Sequence, residues 1–382
     1  MKWNNKGHEY DGMYKEISEG NRNYYIWGAG TYGIAFYEEF CKEIPILAFI
    51  DNNPRKQNTK VCGVDVLSPE DFLKRYTNEI VLVSTGLTRG VYNQLEQYQL
   101  KRHEDWYHID EFSSLYKMYK EDKVYVSDLT VIITQKCSLK CEYCNAFIPK
   151  IQKPKDYDIN FISEELEYYF RWVDEVNVFG LVGGDAMMHP KFNDILEYIG
   201  EKYYPARIKH LEIYSNAVIV PSPKSIELFK KYNVFYRFTD YRGGSGKQNV
   251  EEVVNLLNKE GIRYDHVQFD NWYDCGFPQE SNGITTEEGL IKFFDACDRK
   301  TCHGIFGNKL FFCSMCWSAE QIDYCQVAES DYFDLSQYSA ERRKEFLEYY
   351  LGFNEKGYFE YCKKCNGGIN VNTHKIEVGK QL

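Results

Sequence analysis

Cys137, Cys141 and Cys144 stand at C-x3-C-x2-C spacing in the segment DLTVIITQKCSLKCEYCNAF, and no other feature constrains the chain as strongly. Three thiolates from one short loop are one ligand short of a closed tetrahedral metal site. They can hold a cubane iron–sulfur cluster whose fourth iron stays open to a small molecule. The apolar run from Leu129 to Thr134 reads as a buried strand that delivers this loop. A zinc site and three unrelated buried thiols are the other readings.

Further on, VNVFGLVGGDAMMHP carries an apolar strand ending in Gly183, Gly184 and Asp185, with His189-Pro190 opening a helix. Glycine is suited to a backbone that must approach a ligand without a β-carbon in the way. Residues 124–280 alternate strand and helix patterns: VIIT, SEELEYYFRWV, VNVFG, FNDILEYIG, HLEIYSN, a helix after Ser222-Pro223, VFYRF, VEEVVNLLNKEG and YDHVQF. Such alternation predicts parallel strands joined by crossover helices, with sites at the strand C-terminal ends. Ser215, Asn216 and the stretch Thr239 to Arg242 then face the pocket. Gly243-Gly244-Ser245-Gly246 reads as a loop and not a phosphate cradle, because no Lys-Ser/Thr pair follows on a helix.

Residues 22–115 open with RNYYIWGAGTYGIAFYEEF, a strand leading through Gly28-x-Gly30-x-x-Gly33 into a helix, and Asp51 closes a second strand. This is the order of a Rossmann-like nucleotide-binding unit, with a helix N-terminus for phosphate and Asp51 for a ribose hydroxyl. Ser68-Pro69 caps the next helix and EIVLVSTG supplies a third strand, leaving room for about four strands. A docking surface without a nucleotide is the other reading. A hydride-transferring dehydrogenase is not expected, since the following segment is committed to the cysteine loop.

Residues 285–370 form a small cysteine-rich domain. Thr285 and Glu288 make a capping box for a helix ending near Cys297. A hairpin turning at Gly307-Asn308 brings Cys302 and Cys313 to one end, and Cys362 and Cys365 can complete a four-thiolate shell, with Cys316 as an alternative ligand. Cys297 and Cys325 are surplus to that shell. Iron–sulfur and zinc both remain open for it on spacing alone. Cys275, in NWYDCGFP, is the cysteine just past the last strand, outside the short-spaced groups, and a buried small residue is its plainer reading.

With 43% hydrophobic and 27% charged residues, the 382-residue chain reads as globular. No run approaches the ~18 apolar residues of a membrane span, and MKWNNKGHEYDGMYKE lacks a signal-peptide core, so a cytoplasmic protein is expected. In such a reducing compartment, 13 cysteines at short spacings favour metal ligation over disulfides. A formal charge of -11 argues against nucleic acid as a partner.

The cysteine loop, with Tyr143 before its last cysteine, resembles that of the radical S-adenosylmethionine enzymes. The resemblance implies a [4Fe-4S] cluster whose open iron chelates S-adenosylmethionine, a 5′-deoxyadenosyl radical for hydrogen abstraction, and an electron donor such as flavodoxin or ferredoxin. It also implies a partial (β/α)6 barrel. Gly183, Gly184 and Asp185 resemble the family's GGEP segment, with Asp for Glu and Ala186 for Pro, and Ser215-Asn216 resembles its S/T-N pair contacting the cofactor. The C-terminal cysteines resemble SPASM and twitch domains, which implies an auxiliary iron–sulfur cluster on Cys302, Cys313, Cys362 and Cys365. Residues 22–115 resemble small domains of glycan-pathway proteins that hold a nucleotide-linked sugar. Together these imply oxidation or epimerisation of a carbohydrate or nucleotide-linked sugar, with Cys275 the hydrogen donor in the second case. Peptide modification, and a non-catalytic zinc-stabilised nucleotide-binding scaffold, are the alternatives.

Overall fold

The computed structural model describes residues 1–19, 22–85, 89–243, 247–277, 279–298 and 302–382, so positions 244–246 of the expected glycine loop lie outside the described residues. The chain divides into two compact units, His8–Lys123 and Met1–Gly7 with Val124–Leu382.

The first unit runs α1 (Asp11–Glu19), β1 (Tyr24–Trp27), α2 (Thr31–Phe40), β2 (Ile46–Ile50), β3 (Lys60–Val61), β4 (Val64–Leu67), α3 (Pro69–Arg75), β5 (Ile80–Val83), α4 (Arg89–Gln97), β6 (Trp106–His108) and α5 (Ile109–Glu121). Its sheet has the order β3-β4-β2-β1-β5-β6, parallel from β4 to β6 with β3 antiparallel at the edge. The described sheet is thus wider than the expected four strands, because the edge strands β3 and β6, of two and three residues, are too short to leave a periodic signal. Side-chain alternation sorts β1 onto two faces. Tyr24 and Ile26 pack with Phe36, Phe40 and Phe112, while Tyr25 and Trp27 pack with Phe72 and Leu95. Helices therefore cover both faces, which is why the strands read as continuous apolar runs. Ser68 accepts from Asp71 N at 3.0 Å with Pro69 as the first helical residue, as the sequence predicts.

The second unit runs β7 (Tyr125–Thr134), α6 (Ile159–Trp172), β8 (Glu175–Gly183), α7 (Phe192–Tyr203), β9 (Ile208–Ser215), α8 (Pro223–Lys231), β10 (Phe235–Thr239), α9 (Val250–Glu260), β11 (Tyr264–Val267), β12 (Trp272–Tyr273), α10 (Glu287–Ala296), β13 (Gly304–Phe306), β14 (Lys309–Phe311), α11 (Ser314–Glu320), β15 (Tyr332–Asp334), α12 (Arg343–Tyr350) and β16 (Lys375–Ile376). The main sheet, β11-β10-β9-β8-β7-β13-β14-β15, is parallel from β11 to β13 and has the topology of a partial barrel. The five strands expected from the alternating pattern are β7 to β11. The sixth parallel position is filled by β13 from the cysteine-rich segment. Residues facing the helices, such as Val131, Phe179, Leu181 and Ile213, are buried, and their neighbours face the lumen. Thr286, and not Thr285, caps α10 by accepting from Gly289 N at 3.1 Å. Among the described residues no helix is long and apolar enough to cross a membrane.

Candidate active site

β7 ends at Thr134, whose hydroxyl donates to Asp156 Oδ1 (2.7 Å) and accepts from Lys136 N (3.0 Å), turning the chain into the cysteine loop. Within it Cys144 N donates to Cys141 O (3.2 Å) and Phe147 N to Cys144 O (2.8 Å), a coil that keeps the three cysteines on one short arc. Burial pushes the Cys137 thiol up to about 12 and raises those of Cys141 and Cys144. N–H groups nevertheless point at the sulfurs. Leu139 N and Asn216 Nδ2 each stand 3.5 Å from Cys137 Sγ, and Gln381 Nε2 stands 3.1 Å from Cys141 Sγ. An inert buried thiol has no use for such donors, whereas cluster-bound thiolates are stabilised by them, so the loop fits an iron–sulfur cluster. No three His, Cys, Asp or Glu side chains among the described residues converge on a single ion. A cubane sets a separate iron at each thiolate and does not require convergence.

The glycines at the end of β8 serve this loop directly. A Cβ on Gly184 would lie 2.4 Å from Lys136 O and 2.8 Å from Cys137 Cβ, and one on Gly183 would lie 2.5 Å from Thr134 O. Asp185 is fully buried, and its carboxylate accepts from Met187 N (2.9 Å), Ser215 Oγ (3.1 Å) and Asn216 N (3.0 Å). Burial raises its pKa against those three donors. Asn216 passes the connection on, donating to Ser138 Oγ at 3.0 Å as well as to Cys137 Sγ. Asp185, Ser215, Asn216 and Cys137 are thus one network across the tips of β8 and β9.

Two residues of this site left no signal in the sequence. Gln248 donates to Thr239 O (2.8 Å) and to Asn216 O and accepts from Tyr241 N (2.5 Å), joining the tips of β9 and β10. Gln381 reaches Cys141 from far along the chain. In the Thr239–Arg242 stretch, Asp240 is held well below the usual carboxylate range by Arg242, whose Nη2 lies 2.7 Å away, and it also receives His266 and Gln268. Tyr143, Cys144, Tyr241 and Trp272 border a cavity of about 670 Å³.

A second cavity of about 290 Å³ lies in the lumen, lined among others by Asp128, Thr130, Gly180, Gly183, Tyr214 and Cys302. Asp128 Oδ1 accepts from Tyr350 Oη (2.8 Å) and stands 3.0 Å from His303 Nδ1. Tyr214 Oη donates to Glu212 at 2.8 Å, and its ring fits because a Cβ on Gly180 would stand only 2.7 Å from Cε2.

The C-terminal cysteines gather. Gly307 (φ 61) and Asn308 (φ 59) turn the β13–β14 hairpin, and the backbones of Cys302 and Cys313 pair at its base. Burial raises Cys313, with Cys297 and Cys302 adding to the effect; it also raises Cys362 and Cys365, which feel Cys313. Gly367 N donates to Cys365 Sγ (3.2 Å) and Gly368 N to Cys297 Sγ (3.4 Å). Cys297, surplus on spacing, therefore shares this environment. Cys275 packs in a core with Cys316, Cys325, Cys365 and Phe147.

In the first unit, Gly28 takes φ +117, and a Cβ on Gly33 would lie 2.0 Å from Gly28 O, so both glycines are needed to close the β1–α2 turn. Asp51 accepts from Ala29 N (2.9 Å) and pairs with Lys56 (3.2 Å), which also donates to Ala29 O (2.9 Å).

A family model described as "Radical SAM superfamily" matches residues 131–267. No curated protein matches the chain. Among solved structures it is similar to BtrN in complex with AdoMet and 2-DOIA, at 14% identity and a TM-score of 0.45, over 67% of this chain and 98% of that one. It is similar to Streptococcus suis SuiB bound to precursor peptide SuiA, at 13% identity and a TM-score of 0.30, over 69% of this chain and 49% of that one. A further similarity is to UDP-D-quinovosamine 4-dehydrogenase from Vibrio fischeri, at 19% identity and a TM-score of 0.19, over 24% of this chain and 83% of that one. The matched family segment begins inside β7 and ends on Val267, the last residue of β11, so the radical SAM match falls on the five parallel strands that carry the cysteine loop.

Proposed function

We propose that the protein is a radical S-adenosylmethionine enzyme that oxidises a hydroxyl-bearing carbon of a carbohydrate or nucleotide-linked sugar. Cys137, Cys141 and Cys144 would hold the [4Fe-4S] cluster, and Cys302, Cys313, Cys362 and Cys365 an auxiliary one, with Cys297 and Cys316 as further thiols at hand. When bound, the clusters and S-adenosylmethionine supply a 5′-deoxyadenosyl radical that takes hydrogen from carbon and an acceptor for the electron left behind.

The lumen cavity carries the reading. Its polar groups are fixed before any substrate arrives: Asp128 Oδ1 is engaged by His303 and Tyr350, and Tyr214 is oriented by Glu212. A carboxylate oxygen has about two lone pairs, so Asp128 Oδ2, which His303 N meets at 3.3 Å, can still accept a substrate hydroxyl. Hydroxyls both donate and accept, and a sugar can therefore satisfy a lining of Asp, Thr and Tyr. Cys302 borders the same cavity, which suits an auxiliary thiolate serving the substrate. Cys275 packs beside Cys365, and this favours oxidation over epimerisation with that thiol as donor. In the other unit, Gly28, Gly30, Gly33 and Asp51 would bind a nucleotide. The test is anaerobic reconstitution with iron and sulfide, reduction in the presence of S-adenosylmethionine, and measurement of 5′-deoxyadenosine. Monosaccharides and sugar nucleotides should raise its yield; a rise with short peptides alone overturns the carbohydrate reading.

A further inference from the structure

Segment 375–382 reaches the cysteine loop by a route unconnected with the barrel strands. β16 pairs antiparallel with β12, Ile376 opposite Trp272, and Gly379 (φ +62) passes so near Tyr241 that a Cβ there would lie 2.9 Å from the tyrosine Cβ. The chain then lies along the loop as an added strand. Glu142 N donates to Lys380 O (2.8 Å), Leu382 N donates to Lys140 O (3.0 Å), and Cys141 and Gln381 form an antiparallel bridge.

The Gln381 amide has a single orientation here. Its oxygen accepts from Lys140 N at 2.7 Å, which only Oε1 can do. Its nitrogen donates to Gly379 O at 2.6 Å, which only Nε2 can do. With one N–H spent on that carbonyl, the other is directed at Cys141 Sγ, 3.1 Å away. A flipped amide would break both backbone bonds, so the donor is locked on the sulfur.

We propose that Gln381 is a positioning residue for the radical-generating cluster, stabilising the Cys141 thiolate through a fixed N–H···S bond and thereby raising the reduction potential of the cluster held by Cys137, Cys141 and Cys144. The physical basis is that an N–H dipole aimed at a ligand sulfur favours the more negatively charged, reduced cluster. The inference rests on the proposed assignment of those three cysteines.

The experiment is an anaerobic redox titration of the reconstituted full-length protein, followed by electron paramagnetic resonance. The relevant cluster is identified as the one whose signal changes when S-adenosylmethionine is added. Gln381→Ala should retain iron and move the midpoint of that signal to lower potential. Gln381→Glu keeps an oxygen for Lys140 N, removes both N–H groups and adds a negative charge, so its midpoint should fall further. Lys380→Arg, which keeps the cation facing Glu142 (2.7 Å from Lys380 Nζ) and the backbone bonds of the segment, should leave the midpoint where it is. The inference is overturned if both Gln381 variants titrate with the wild type while keeping the S-adenosylmethionine-sensitive signal. Wild-type protein that assembles no such cluster overturns the cysteine assignment, and this inference with it.

Discussion

Each unit carries a glycine-bearing turn at the C-terminal end of a parallel strand, and each turn is tied by an aspartate to the neighbouring strand tip. Asp51, at the end of β2, holds Ala29 N of the β1 turn, and Asp185, beyond β8, holds Asn216 N beyond β9. The environments differ. Asp51 shares its carboxylate with Lys56, whose side chain is 38% exposed, whereas Asp185 is 1% exposed and satisfied by neutral donors. The glycines differ in the same sense. A Cβ on Gly184 would strike the cysteine loop, while one on Gly30 would find nothing nearer than Lys56 Nζ at 3.8 Å. A glycine pressed against backbone is required by the fold, and a glycine facing open space leaves room for something that is not protein.

The largest effect should come from Gly184→Ala. Backbone cannot relax as a flexible side chain does, so the cysteine loop must move; a loss of about 1–3 kcal/mol and of most of the retained iron is expected, read by denaturation and iron analysis. Wild-type stability and iron content in this variant would remove the contrast with Gly30. Asp185→Ala comes next. It leaves Asn216 N buried without its acceptor and takes one bond each from Met187 N and Ser215 Oγ, at about 1–2 kcal/mol, because relief of the buried carboxylate offsets part of the loss. Asp51→Ala takes the acceptor from Ala29 N, Asn53 N and Lys56, but the Asn53 bond and the lysine are exposed enough for water to replace it, so the cost should be about 1 kcal/mol or less. Equal losses for the two aspartates in parallel chemical denaturation would erase the distinction drawn between them.

Asp128→Asn tests the lumen site, whose carboxylate ties no strand tip. It keeps the shape of the side chain and removes the charged acceptor; the loss of the weak His303 N bond (3.3 Å) should cost about 1 kcal/mol, with iron content unchanged. Substrate-stimulated 5′-deoxyadenosine formation should fall by about tenfold, the worth of one hydrogen bond of about 1.4 kcal/mol. A rate unchanged for every stimulating sugar would take Asp128 out of the substrate contacts.

The contrast also explains what the sequence revealed. Strands β7 to β11 were legible because burial imposes an order of short apolar runs alternating with helical patterns, and the cysteine loop because its spacing has few other uses. The glycine pair was legible as a close approach, but what approaches Gly184 is Lys136 O, a partner some 50 residues earlier in the chain. Gln248 and Gln381 were invisible, since their work depends on where a side-chain amide lands after folding. The fate of Cys297 was likewise set by Gly368 N, a backbone group no spacing rule describes.

The smallest effect on stability belongs to Gly30→Ala, and it separates the two readings of the first unit. Alanine is a poorer N-cap than glycine, but at φ -106 it also reduces the unfolded-state entropy, and the nearest protein atom is the far end of a flexible lysine, so the folding free energy should change by less than about 0.5 kcal/mol. Nucleotide binding should respond differently, because the added methyl would occupy the space a phosphate needs beside the first turn of α2. Uridine diphosphate at tenfold its dissociation constant should stabilise the wild-type unit by about 1.4 kcal/mol and the variant by much less, measured as a thermal shift. Since Lys56 already bridges Ala29 O and Asp51, a ribose must exchange with that lysine, and the binding should be modest in strength. An identical response in wild type and variant would mean that Gly30 guards no ligand, leaving Gly28 and Gly33 as requirements of packing alone.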